Sequence, residues 1–307
     1  MKSTISFFAL VGAAYSQTQY TSTASSAVAA ARATALTLSP TSSVAGNTFD
    51  RFVQIWLENT DYSKAIANTD LAWLASQGIS LTNYFAITHP SQPNYVAAAG
   101  ASTYSITDDG FHRIGSSVKT IVDLLDAKGV SWSIYQEDMP FSGFEADWKN
   151  SAGATDYVRK HNPLMSYDSV TSDLNRLAKC KNFTMFNKDL ANNKLPQWMF
   201  ITPNMTNDGH DSSISVAGKW ARNFLTPLLS NPNFNSARTL VHLTFDEGST
   251  SGTNQVYSVL LGSAVPAAKV GTTNNTRYNH YSLTKTAELN WGLGNLGQND
   301  VSASAFF

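Results

Sequence analysis

The chain is poor in three things. It holds one cysteine in 307 residues, no run of like charges, and no apolar stretch near the roughly 20 residues a membrane-spanning helix needs. A lone Cys180 excludes an intrachain disulfide framework. Lysines on either side of it, Lys179 and Lys181, offer a route to a reactive thiolate, but an incidental thiol is the plainer expectation. With 21 Lys and Arg against 22 Asp and Glu, the net charge is -1. No basic stripe or acidic tail breaks that balance, which argues against nucleic acid or an anionic membrane as a partner.

Hydrophobic content of 42% in a chain of this length is enough to bury a substantial core. The opening MKSTISFFALVGAAYSQ has Lys2, an apolar run from Ile5 to Ala14 and small residues at Ala14 and Ser16. That pattern predicts a secretory signal peptide over residues 1–16, hence an exported protein with no membrane insertion. Residues 17–48 are Ser/Thr/Ala-rich with few large apolar side chains, and their composition predicts a flexible leader. Asn-x-Ser/Thr sequons stand at Asn182, Asn204 and Asn274, and Asn182 and Asn274 are the expected glycosylation sites.

From residue 49 to 307, apolar runs suited to buried strands alternate with amphipathic stretches. Strands are expected at Phe52–Leu57, Ile79–Ile87, Val130–Tyr135, Trp198–Ile201, Leu240–Phe245 and Val256–Leu261. Helices are expected at Tyr62–Gln77, around Pro93–Ala99, and at Ser117–Lys128, Ser166–Lys179, Ser215–Leu229 and Tyr281–Leu293. This order predicts one α/β domain on a mostly parallel central sheet. Residues 140–163 are irregular and aromatic, and read as a lid or rim.

Polar clusters fall where these runs end: Glu58-Asn59, His89 to Tyr95, Asn204 to Asp211, Asp246-Glu247 and His280. In an α/β sheet the strand C-termini gather at one edge, where ligands bind. Two adjacent acids after an apolar strand repel each other unless a cation or proton intervenes, so Asp246 and Glu247, with Glu58 and Asn59, suggest an oxygen-rich divalent metal site. Ser91 lies at a helix start, where unpaired amides and the dipole favour an anion. It is either a nucleophile or a simple cap. Asp208 and His210 can serve as ligands or phosphate contacts, His89, Asn94 and His112 are further candidate contacts, and His161 and His242 look ordinary.

Taken together, ENxxY at Glu58–Tyr62, THPSQPNY at Thr88–Tyr95, PNxxNDGHD at Pro203–Asp211, FDEG at Phe245–Gly248 and NHYSLTKTAELNWGLG at Asn279–Gly294 resemble the secreted fungal acid phosphatases. Those belong to the phosphoesterase family, with the phosphocholine-type phospholipases C of bacteria, and are similar to the alkaline phosphatase superfamily. The resemblance implies a three-layer αβα sandwich and a small phosphorylated substrate. It makes Ser91 the nucleophile, by likeness to the Thr-Phe-Pro-Asn of nucleotide pyrophosphatases. It also implies Glu58, Asn59, Asp246 and Glu247 as metal ligands, and places His210 and His280 near the phosphoryl group. The superfamily's Asp-x-x-x-His pair and Asp-His dipeptide are missing here, leaving the number of divalent ions at one or two. The expected activity is metal-dependent hydrolysis of phosphate monoesters through a phosphoserine. The alternatives are a phospholipase C-type diesterase and, in a different class, a glycan- or wall-binding protein with a structural metal.

Overall fold

The computed structural model describes residues 21–235, 238–250 and 252–307. The expected signal peptide lies outside the described residues. In chain order the strands are β1 (Arg51–Leu57), β2 (Ile79–Leu81), β3 (Tyr84–Phe85), β4 (Trp132–Gln136), β5 (Trp148–Lys149), β6 (Thr155–Tyr157), β7 (Cys180–Asn182), β8 (Trp198–Thr202), β9 (Thr239–Phe245), β10 (Ser258–Leu261), β11 (Thr272–Asn274) and β12 (Tyr278–Asn279). Eight form the main sheet in the order β11-β2-β10-β9-β1-β8-β4-β7. All of its pairs are parallel except those of β10, which runs antiparallel to both neighbours. The chain is therefore an α/β protein with a mostly parallel sheet, as its alternating pattern implied.

Central strands are buried on both faces. Every residue of β9, and all of β1 after Arg51, is buried, as parallel sheets covered by helices require. One helical group packs Thr69–Ser76 with Ile214–Leu229, and another packs Ser91–Gly100 with Ile121–Lys128 and Tyr281–Trp291.

Several expected elements are shorter or divided, each for a local reason. The helix expected at Tyr62–Gln77 breaks at Asn68, whose side-chain Oδ1 caps a new helix by accepting from Asp70 N and Leu71 N. The strand expected at Ile79–Ile87 is interrupted by a turn, and β3 pairs with β12 in a separate ribbon. A Thr120–Asp123 capping box starts the next helix at Ile121 rather than Ser117. The helix expected at Ser166–Lys179 is two single turns, the second capped by Asp173. Within the segment read as leader, Ser25–Thr34 is helical. Its Val28 is buried beside Met139, Phe141, Phe144 and Tyr157, apolar neighbours supplied by a distant segment that composition alone does not pair with it. Downstream, Gln197 receives Ser42 Oγ and Val44 N at 2.6 and 2.8 Å.

Cys180 is sealed in the edge strand β7, and burial pushes its thiol up to about 12 despite Lys179 and Lys181. The reactive reading of this cysteine fails because desolvation outweighs the two nearby charges. No helix among the described residues is long and apolar enough to cross a membrane.

Candidate active site

Sheet register builds the site. Parallel β1 and β9 pair through Leu57 and Phe245, so the residues that follow, Glu58 and Asp246, emerge side by side. Asp246 N donates to Leu57 O at 3.0 Å, and Glu58 N to Asp208 O at 2.9 Å. These bonds tie the ends of β1, β8 and β9 together. Asn59 then takes a left-handed φ of 37°, which asparagine tolerates, and its N–H reaches Asp246 Oδ1 at 3.1 Å. Gly209, at φ 105°, turns the next loop so that His210 N donates to Asp208 Oδ1 at 2.8 Å.

Ser91 is the first residue of the helix Ser91–Gly100 and is buried. Its hydroxyl lies 3.2 Å from Glu58 Oε2, 3.1 Å from Glu247 Oε1 and 3.5 Å from Asn59 Oδ1. The Asn59 amide sits within 3.1–3.2 Å of Glu58 Oε2, Asp246 Oδ1 and Glu247 Oε1. Turned one way its NH₂ has all three within donating reach, with two hydrogens to share among them. Turned the other way its oxygen joins theirs in a ring of oxygens around Ser91 Oγ.

The electrostatics of that ring are costly. Burial, then the charge of Asp246, pushes the Glu58 carboxyl well above the usual range. Burial and the Glu247 charge raise Asp246 to about 8, and burial raises Glu247 to about 7. Three carboxylates this close hold protons or want a cation. Tyr95 OH donates to Glu58 Oε1, and His89 Nδ1 stands 2.6 Å from Glu247 Oε2.

The structure also brings in residues that the sequence left unmarked. His161 is buried, with Nε2 3.4 Å from Glu58 Oε2 and Nδ1 3.6 Å from Asp208 Oδ2. Glu58, His161 and Asp208 form a compact buried group of metal-ligating type. Burial holds His161 well below its usual pKa and keeps it neutral, while Asp208 is raised well above the carboxylate range, chiefly by burial. Lys160, next to His161, pairs with Asp109 at 2.7 Å. Lys160 and His161 both belong to the irregular 140–163 segment, which thus reaches the site.

Three expected contacts fall elsewhere. His280 is fully buried beneath the strand ends, 4.2 Å ring to ring from Trp56. Its Nε2–H donates to Asp246 O at 2.6 Å, and Nδ1 accepts from Tyr84 OH at 3.1 Å. With both nitrogens engaged it supports the Asp246 backbone and does not face the pocket, and burial lowers it to about 3. Asn94 spends its whole side chain on the preceding loop, accepting from Ile87 N and Thr88 N and donating to Thr88 O and Pro90 O. His112 pairs with Asp108 at 2.6 Å and touches none of the oxygen ring. His210 remains half-buried at the mouth, its ring 5.8 Å from His161 and its Nδ1 2.7 Å from Asp211.

Residues 39–294 match the Phosphoesterase family. The chain is 54% identical over 276 residues to the phosphate-repressible acid phosphatase of Penicillium chrysogenum, covering 90% of this chain and 67% of that protein. It is 49% identical over 306 residues to an acid phosphatase of Aspergillus fumigatus, covering 98% and 68%. A phosphatidylinositol-3-phosphatase of Mycobacterium tuberculosis is 30% identical over 253 residues, covering 81% and 79%. The chain thus spans about two thirds of the length of its fungal relatives. Among solved structures, a protein in the alkaline phosphatase superfamily from Vibrio parahaemolyticus superposes with a TM-score of 0.54 at 9% identity, over 91% of this chain and 78% of that one. A 2-O GAG sulfatase does so at 0.53 and 10%, over 84% and 73%. These two share the fold, and the sequence matches settle the lineage: the chain belongs to the phosphoesterase family.

Proposed function

We propose that the chain is a secreted, metal-dependent acid phosphatase that hydrolyses phosphate monoesters through a phosphoserine at Ser91. One observation carries the reading: the Ser91 hydroxyl, at the first position of a helix, lies 3.2 Å from Glu58 Oε2 and 3.1 Å from Glu247 Oε1. A binding module with a structural cation has no use for a nucleophile in that position. The relatives named acid phosphatase and phosphatidylinositol-3-phosphatase support a monoester substrate.

The donor set suits a divalent cation. Buried carboxylates with raised pKa values, gathered around the Asn59 amide, make an oxygen-rich, negatively charged site. Glu58, Asn59, Asp246 and Glu247 would hold the ion, which when bound supplies Lewis-acid polarisation and eases loss of the Ser91 proton. Glu58 Oε2 and Glu247 Oε1 are the two alternative acceptors of the single Ser91 O–H, and between them they aim its oxygen. Gln92 N in the first helical turn is taken by Asp109 Oδ1 and Pro93 has no N–H, so the helix end meets the incoming anion through the Ser91 amide and its dipole. Ser91 Oγ then forms a bond to phosphorus as the ester bond breaks, and the leaving alkoxide takes a proton. His210, half-exposed and oriented by Asp211, suits that donor role, whereas sealed His280 does not. Water attacks the phosphoserine, releases inorganic phosphate and restores the serine hydroxyl.

Acid quenching during turnover of an aryl phosphate, followed by peptide mass analysis, tests this reading. One phosphoryl group on the peptide containing Ser91 is expected. Full turnover by Ser91→Ala would overturn the assignment. Export rests on the first 16 residues, and sequencing the N-terminus of secreted material checks it. The glycosylation sites are proposed on their sequons, although both amides are engaged: Asn182 Nδ2 donates to Met139 O and Asn274 Nδ2 to Tyr278 OH.

A further inference from the structure

We propose that Lys160 is the phosphate ligand that makes the site prefer a monoester dianion over a diester, an inference that rests on the phosphatase reading. Its position is built. Asp109 accepts from the Lys160 ammonium at 2.7 Å with Oδ2, and from Gln92 N at 3.0 Å with Oδ1. Gln92 follows Ser91 directly. One carboxylate therefore fixes the ammonium to the first turn of the helix that presents the nucleophile. From the other side, Lys160 lies on the short 3-10 turn Arg159–His161, whose His161 faces Glu58. The ammonium has three donors, and Asp109 takes one in this pairing.

Charge balance favours such a group. Ionised Glu58, Asp246 and Glu247 carry three negative charges, so a single divalent cation leaves the ring negative. A monoester arrives with about two negative charges near neutral pH and a diester with one, so the monoester faces the stronger repulsion. The neighbouring arginines are committed elsewhere. Arg159 donates to His112 O and Met165 O, and Arg113 pairs with Asp168 and Glu145. His89 stands against Glu247 and His210 against Asp211. On this proposal a phosphoryl oxygen entering beside Ser91 accepts from the remaining Lys160 N–H groups.

The experiment compares wild type, Lys160→Met and Lys160→Arg as full-length proteins. Calorimetry measures binding of inorganic phosphate, and steady-state rates are measured on an aryl phosphate and on its bis-aryl ester. For Lys160→Met, phosphate binding is expected to weaken about tenfold, and the monoester-to-diester ratio of kcat/KM to fall about tenfold, the scale of one charge-assisted contact. Lys160→Arg keeps the charge and should recover most of both losses. Equal falls on the two esters, or unchanged phosphate binding in Lys160→Met, would overturn the proposal. So would failure of Lys160→Arg to differ from Lys160→Met. If Lys160→Met does not fold, Lys160→Gln takes its place under the same criteria. A wild type that turns over neither ester would sink the phosphatase reading instead, while phosphate calorimetry would still decide the role of Lys160.

Discussion

His280 donates its Nε2–H to the backbone carbonyl of Asp246 at 2.6 Å, so an imidazole beneath the sheet edge fixes the peptide that carries an acid of the site. Because burial lowers this histidine to about 3, it is neutral throughout pH 4–8 and contributes no titration there. We expect His280→Phe to orphan the Asp246 carbonyl and lower kcat about tenfold or more, with loss of thermal stability. The shape of the pH–rate profile over pH 4–8 should stay as in wild type. A lost limb in that profile would return His280 to proton transfer.

Ser91→Ala removes the path that divides the reaction into two easier steps. Turnover of an aryl phosphate should drop by roughly a thousandfold or more, with circular dichroism unchanged, since the helix start keeps its backbone bonds.

Chelation should abolish turnover and added divalent ion restore it. Glu58→Ala and Asp246→Ala should each lose bound metal as well as rate. Elemental analysis of the purified variants decides the matter, because full occupancy in both would remove the oxygen ring as the ligand set.

A second buried acid pair predicts how stability follows pH. Glu288 is 2% exposed, and burial, with Asp300 beside it, raises its carboxyl to about 8. Asp300 in turn accepts from Leu296 N and Gln298 N, both at 2.7 Å. The folded-state pKa of Glu288 lies above the unfolded value of about 4.3. Its contribution is therefore complete below that value and is lost as pH rises towards 8. Thermal midpoints should fall by about 5 °C or more from pH 5 to pH 8. Glu288→Gln should flatten that slope, and an unchanged slope would dismiss the raised Glu288 carboxyl as its source.

The sheet and the oxygen ring were legible because each rests on short-range pattern. Apolar runs ending in Glu58 and Asp246 mark buried parallel strands, and register then places the acids together. His161 was not legible. It sits in residues 140–163, which carry no helical or strand period, and it reaches Glu58 only through tertiary folding. Asn94 and His280 were misplaced for the converse reason. Their positions in the chain were right, but sequence does not tell which way a side chain turns, and both turn towards backbone. Asn68 and Asp173 divided helices that periodicity had joined, because their side chains captured backbone amides.

The solitary sulfhydryl of β7 has a practical consequence. A thiolate reacts and a thiol does not, and Cys180, buried and held up to about 12, offers reagents almost none while the edge of the sheet stays closed. Modification by an aromatic disulfide under native conditions would therefore run at the frequency with which β7 parts from β4, making the residue a built-in clock for opening of that margin.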